Sequence, residues 1–179
     1  MPSRRASFGI VSAVIFVISN SAHLANANDG IGLYAMPEDE FWSLIELVEG
    51  SGWTDEETNL IPLVETLSAM SVQSIEGFFE TLAQKLFALD TRAHYQAFTW
   101  FPGRSDTFLY TRLAVVAQGR TEYQRILENP RFFPGSSSRW LEGLLYVADD
   151  AYRSVTGLAF QRASSVNFES GSNDIGWQR

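Results

Sequence analysis

Apolar residues recur along most of the chain at the spacing of α-helices. The first clear stripe places Phe41, Leu44, Ile45 and Val48 at positions i, i+3, i+4 and i+7, which lie on one helical face. Comparable stripes indicate further helices near residues 59–67, 71–87, 105–118, 121–129 and 139–156. Strict alternation, which is typical of strands, is scarce. The pattern therefore predicts an all-α fold, a compact bundle of five to six helices in one domain.

Capping residues sharpen several helix boundaries. Ser71 is a suitable N-cap for the longest helix, and Thr121 and Gln124 have the spacing of a capping box. Gly157 follows the last strong stripe and fits the position just after a helix end. Pro62 lacks a backbone donor, so the regular part of the second helix is expected to begin near Asn59.

The first 27 residues have the pattern of a secretory signal peptide. Arg4 and Arg5 precede a short apolar run from Phe8 to Ile18, and residues 25–27 form an Ala-Asn-Ala cleavage sequence. The run is shorter than the roughly 20 apolar residues of a membrane-spanning helix. We expect cleavage before Asn28 and export to the periplasm or medium, with no stable membrane anchor afterwards. An uncleaved anchor or an ordinary buried helix is the alternative interpretation.

The C-terminal end differs in composition from the helical part. After Arg162 the chain is rich in Ser, Asn and Gly, and such a segment offers little apolar surface to bury. The sequence therefore predicts a helical domain over residues 28–162 and a flexible tail over residues 163–179.

Composition and charge narrow the classes of function. Cysteine is absent, which excludes disulfides, thiol catalysis and cysteine–zinc sites. The formal net charge is −8, and it becomes −10 when Arg4 and Arg5 leave with the signal peptide. An acidic surface repels nucleic acid and anionic lipid, and it suits a basic protein partner.

The sequence gives little support for metal binding or catalysis by histidine or carboxylate side chains. After removal of residues 1–27, His94 is the single histidine, so a monomer has no histidine-based zinc site. A Ser-His-Asp triad would need His94, and no Gly-x-Ser-x-Gly elbow is present. The acidic runs 38–40 and 55–57 fall at helix starts, where acids are favoured electrostatically. We expect His94 at the surface or at a helix end, with no catalytic residue, metal or cofactor.

Charged residues near apolar helix faces are the candidates for binding. On the predicted 105–118 helix, Asp106 and Tyr110 share a face, while Arg112 falls beside apolar residues and Arg120 follows the helix end. A buried arginine needs an acidic partner, and Asp149 is the candidate. One hypothesis is a polar pocket for an anionic ligand or a partner's carboxylate. The other is an internal charge network that fixes helix packing.

Trp100 belongs to a second candidate site. It lies in an aromatic stretch with Tyr95, Phe98 and Phe101. Such a stretch either offers a stacking surface to a sugar or peptide or belongs to the core.

Several short motifs, in a fixed order, resemble the bacterial domain of unknown function 4240 family. They are Phe41-Trp42-x-Leu44-Ile45, Leu67-Ser68-x-Met70-Ser71, Ser105-Asp106-x-Phe108-x-Tyr110, Gln118-Gly119-Arg120 and Leu145-Tyr146-Val147-Ala148-x-x-Ala151-Tyr152, with Gly157 after them. The resemblance covers roughly residues 36–157. It implies a compact helical domain and carries no established activity. Members often have tryptophan shortly after the arginine that matches Arg112, where this chain has Leu113 and Ala114.

Two functions of different classes follow from these observations. The preferred one is an exported, non-enzymatic protein-interaction module. The alternative is a periplasmic small-ligand-binding protein or enzyme built around the Arg/Asp/Tyr pocket. A deep pocket that holds those groups favours the alternative, whereas an exposed apolar patch elsewhere favours the module. 

The cleavage site gives a direct prediction. N-terminal sequencing of the protein recovered from the envelope or the medium should begin at Asn28, because the Ala-Asn-Ala sequence ends at Ala27. The cytoplasmic fraction of the same cells is the control. Retention of Met1 on the exported protein would contradict the assignment.

Overall fold

The computed structural model describes residues 33–48, 56–99, 105–136 and 140–178. The predicted signal peptide and Trp100 lie outside these residues, so both remain predictions. Within the part of the chain that the structure describes, no helix combines the length and the apolarity needed to cross a membrane.

The described residues form helices and no strands, which confirms the all-α fold. The α-helices are α1 (Glu38–Ile45), α2 (Glu56–Ser68), α3 (Val72–Leu89), α4 (Arg92–Phe98), α5 (Ser105–Ala117), α6 (Arg120–Glu128), α7 (Val147–Thr156) and α8 (Asp174–Trp177). Two 3₁₀ helices, Pro130–Phe132 and Glu142–Tyr146, lie between α6 and α7. The helices that the sequence predicts correspond to α1, α2, α3, α5, α6 and α7. The additional α4 and α8 are short, and each offers too few turns for a clear periodic stripe.

Two of the predicted caps are confirmed. The Ser71 hydroxyl accepts a hydrogen bond from the Ser74 backbone N–H at 3.1 Å, which satisfies a free donor at the start of α3. Gly157 ends α7 in the left-handed conformation, with φ 72°, and its N–H donates to the Arg153 carbonyl.

Other boundaries differ from the predicted ones. Helix α6 begins at Arg120, directly after Gly119 with φ 87°, so Thr121 lies inside the first turn and the capping-box assignment is wrong. Helix α2 begins at Glu56 and continues through Pro62. A proline in the first two turns costs one intrahelical hydrogen bond without ending the helix. The predicted last helix starts with the 3₁₀ turn Glu142–Tyr146 before α7.

Helix α3 lies at the centre of the domain and contacts α1, α2, α5 and α7. Its buried apolar side chains are Ile75, Phe78, Phe79, Leu82, Ala83, Leu86 and Leu89. Helix α5 is buried on nearly every side from Phe108 to Ala117, as expected for a helix that is apolar all round. Burial of these aliphatic and aromatic groups, at about 25 cal/mol per Å² of apolar surface, is the main stabilising contribution.

Packing continues past the predicted domain boundary at Arg162. The Phe168 ring lies edge-on to Phe79, with centroids 5.9 Å apart, and Trp177 of α8 packs against Tyr95 at 5.2 Å. The polar residues between these two rings find buried partners on the helices, which their composition does not reveal. The structure thus places residues 163–178 against the helical domain, where the sequence alone predicts a flexible tail.

Candidate functional site

The candidate binding residues do not converge on one pocket. Arg112 is fully buried in the interior. Arg120 is more than half exposed and binds Asp39, with Nη1 to Oδ1 at 2.7 Å. Asp106 is exposed near Tyr110, and Asp149 lies on α7 beside Arg162.

Arg112 is held by groups of the chain itself. Nη1 donates to the backbone carbonyls of Leu86, at 2.8 Å, and Phe168, at 3.0 Å. Nη2 donates to the Ser170 hydroxyl at 3.0 Å, and the guanidinium lies over the Phe108 ring at 4.8 Å. Leu86 is in the last turn of α3, where carbonyls lack intrahelical donors, so the cation also complements the helix dipole.

The carboxylates that affect the pKa of Arg112 do not include the predicted partner, Asp149. Burial lowers the pKa of Arg112 to about 10, while the charges of Asp90 and Glu169 raise it. The group is therefore still charged at neutral pH. The predicted pairing of Arg112 with Asp149 is wrong, because Asp149 accepts from Arg162 Nε at 2.9 and 3.1 Å. Asp149 faces the segment that follows α7, whereas Arg112 extends towards the C-terminal end of α3.

His94 lies in the first turn of α4, which agrees with the predicted position at a helix end. It is buried, with 2% of its surface exposed, so the alternative of a surface position is wrong. Its Nε2 lies 3.2 Å from the Ile126 carbonyl and its Nδ1 lies 2.7 Å from the Thr91 hydroxyl. A carbonyl only accepts, so Nε2 carries the proton and Nδ1 accepts from Thr91. Burial lowers the pKa of His94, and the Arg112 charge lowers it further.

An open groove of about 790 Å³ lies along α2, the second 3₁₀ helix and α7. Its apolar side chains are Leu60, Ile61, Val64, Tyr146 and Val147. Ile61 and Tyr146 remain 49% and 40% exposed, although both are large and largely apolar. The floor of the groove is therefore apolar surface that the described chain leaves open to solvent.

Acidic side chains dominate the rim of this groove. The carboxylates are those of Glu65, Glu142, Asp149 and Asp150, and the cations are Arg153 and Arg162. Arg162 is already engaged, because it binds Asp149 and lies over the Tyr146 ring at 4.8 Å. The rim therefore presents an excess of negative charge above an apolar floor.

Tyrosines border the same groove. Partial desolvation and a hydrogen bond to Glu142 raise the pKa of Tyr110 to about 12, and the nearby charge of Asp106 adds to this shift. The Tyr146 hydroxyl also donates to Glu142, at 3.2 Å. Of the predicted site residues, Asp149 lines the groove and Tyr110 contacts its lining residue Glu142, with Asp106 near Tyr110. Arg112 and Arg120 do not line the groove.

Sequence reasoning missed the groove as a unit, because its walls come from segments about 80 residues apart in the chain. The available signal was the pair Asp149–Asp150, which interrupts an otherwise apolar stripe on α7. Within the described ranges, no group of three or more His, Cys, Asp or Glu side chains is arranged to hold a metal ion.

A family model described as "Protein of unknown function (DUF4240)" matches residues 36–154, about two thirds of the chain. Neither a curated protein nor a solved structure matches. The matched region includes the groove walls up to Arg153 and all of α3 and α5. It ends before Arg162 and before the packed residues 163–178.

Arg112 and Arg120 provide a matched pair of substitutions. Arg112→Ala should lower the free energy of unfolding by about 3–5 kcal/mol, because it removes a buried cation and leaves its partners unsatisfied. Arg120→Ala, the control, should cost less than about 1 kcal/mol, because its ion pair is exposed. Urea titrations followed by circular dichroism measure both. Similar costs for the two variants would contradict the structural role of Arg112.

His94 predicts a pH dependence of stability. Its pKa is lower in the folded state, so below the ordinary value of about 6.5 the unfolded chain binds a proton that the folded chain resists. The free energy of unfolding should therefore fall as the pH decreases from 7 to 5. His94→Gln keeps a donor for the Ile126 carbonyl and should flatten this decline in urea titrations. Parallel curves for the variant and the parent would exclude His94 as the cause.

Proposed function

The chain belongs to the DUF4240 family of unknown function, and we propose that it is an exported, non-enzymatic interaction module that binds a basic protein segment. The observation that carries this proposal is the groove along α2 and α7, with its open apolar floor and acidic rim. The N-terminal pattern of residues 1–27 supports the exported location.

The apolar floor favours a partner with an apolar face. A partner that covers the exposed surface of Ile61 and Tyr146 gains binding free energy of about 25 cal/mol per Å² of apolar surface removed from water. Both lie within one groove, next to Leu60, Val64 and Val147. An amphipathic helix laid into a groove of this kind places its apolar anchors at helical spacing along the floor.

The rim favours a partner with positive charge. Glu65 and Asp150 are exposed on the rim, so lysine or arginine side chains of a bound segment reach them without complete desolvation. The whole chain is acidic, with a formal charge of −8, and this field accelerates the approach of a basic partner. The partner is therefore an amphipathic, basic segment of another exported protein.

A small cationic ligand is the second candidate. The groove volume of about 790 Å³ lies within the range of small-molecule sites. Tyr110, Tyr146 and Glu142 form a polar cluster at its border. An aromatic face beside carboxylates is suited to an ammonium group.

Charge reversal on the rim tests the proposal. The probe is a synthetic amphipathic helix with leucine on one face and lysine on the other, and calorimetry measures its binding. Glu65→Lys/Asp150→Lys should weaken binding about tenfold or more, because like charges then face each other. Glu46→Lys/Glu76→Lys is the control, since it changes the net charge equally at exposed positions outside the groove.

The outcomes separate the two candidates. Equal weakening by both double variants would show that the probe responds only to net charge, which would overturn the groove as the site. If the probe does not bind and a small amine such as spermidine does, with the same dependence on Glu65 and Asp150, the second candidate replaces the first. The natural partner is then sought by cross-linking from the envelope fraction, with the two double variants as matched baits.

A further inference from the structure

Residues 163–178, the C-terminal segment, lie in a cleft formed by α3, α4 and α5 on the family domain. Three charged side chains of that domain are buried there: Glu80, Asp90 and Arg112, each at most 1% exposed. All three bind the C-terminal segment, which begins after the family match ends at residue 154. Buried charges require polar partners, and each of these three takes some of its partners from a segment outside the matched domain.

Asp90, just after the end of α3, collects donors from the segment. Its carboxylate accepts from the backbone N–H groups of Gly171 and Asn173, each at 3.0 Å, and from the indole N–H of Trp177 at 3.0 Å. A carboxylate that accepts several backbone donors recognises a peptide main chain in one fixed conformation. The segment is therefore bound chiefly through groups that any peptide carries, with Trp177 adding selectivity.

The other two charges extend the same type of recognition. Glu80 accepts from the backbone N–H of Ser165 at 2.8 Å and from the Ser165 hydroxyl. Arg112 donates to the carbonyl of Phe168 and to the Ser170 hydroxyl. Together the three groups contact the main chain at intervals from residue 165 to residue 173.

Aromatic anchors and a close contact fix the register. Phe168 lies against Phe79, and Trp177 lies against Tyr95. A Cβ added at Gly176 would come within 2.9 Å of the Thr91 methyl group, so the main chain approaches the cleft closely at this point. Main-chain hydrogen bonds combined with pockets for separate side chains are the recurring arrangement of peptide-binding sites.

We propose that the cleft of α3, α4 and α5 is a peptide-binding site, and that the chain's own C-terminal segment is its resident ligand. The site takes a peptide with two aromatic anchors nine positions apart, and the eight residues between them include two Ser, two Gly and one Asn. The ligand is attached through residues 158–162, which form no helix, although Phe160 packs against Phe79 and Tyr152. A second copy of this chain carries the same ligand and is the partner that the site fits. This site is distinct from the groove of α2 and α7, and its test does not depend on that groove.

A cleavable linker tests the proposal in the intact protein. A protease recognition sequence is inserted between Arg162 and Ala163, both exposed, and the folded protein is then cleaved. The fragment should stay bound through gel filtration. A fluorescent synthetic peptide of residues 163–179 should replace it saturably, one per domain. Peptides with Trp177→Ala or Gly176→Ala should compete about tenfold less well or worse, and a scrambled peptide should not compete.

Three results would overturn the proposal. Loss of helical circular dichroism when the fragment leaves would show that the segment is a part of the core, not a ligand. A fragment that never exchanges with excess peptide would show the same. Equal competition by the scrambled peptide would show that the cleft does not recognise this sequence. Exchange with the stated order of affinities supports the site.

Discussion

The domain depends on one buried guanidinium. Arg112 joins the carbonyl end of α3 to the C-terminal segment while its planar face lies over Phe108 of α5. Its Nε has no hydrogen-bond acceptor among the described residues. The charge nevertheless persists at neutral pH, because the pKa of about 10 remains well above it. The positions of three elements are therefore fixed by a group that is costly to bury and more costly to leave unsatisfied.

Charge divides the domain into two unlike faces. On the face of α3 and α5, buried charges are matched by the chain's own atoms, and water is excluded. On the face of α2 and α7, Glu65 and Asp150 remain exposed above open apolar surface. The charges of the first arrangement are desolvated, which strengthens their interactions at short range, whereas those of the second are exposed to solvent and act on approaching molecules. A single acidic chain thus carries both kinds of charged surface.

Periodicity predicted most of the fold, and its failures have physical causes. The stripes of α1 and α3 are long enough to define a face, and Ser71 and Gly157 cap their helices through neighbouring residues, so both kinds of feature could be predicted from the sequence. The partners of Arg112 could not be predicted from the sequence. They are the backbone carbonyls of Leu86 and Phe168, and every residue carries such a group. The low apolar content of residues 163–178 gave no sign that this segment packs against the helices. Its backbone N–H groups donate to the buried carboxylates of Glu80 and Asp90, and composition does not reveal such contacts. The groove depends on two surfaces brought together by tertiary folding, so only its acidic pair on α7 was visible beforehand.

The buried carboxylate of Asp90 also governs the order of events during synthesis. Its donors lie 81 to 87 residues further along the chain, so the ribosome adds them well after α3. A chain is made from its N-terminus, so α3 emerges before the N–H groups that donate to Asp90 at its end. Contacts between residues so far apart in the chain form slowly. The hydrogen bonds of Asp90 can therefore form only after residues 171–177 have been made.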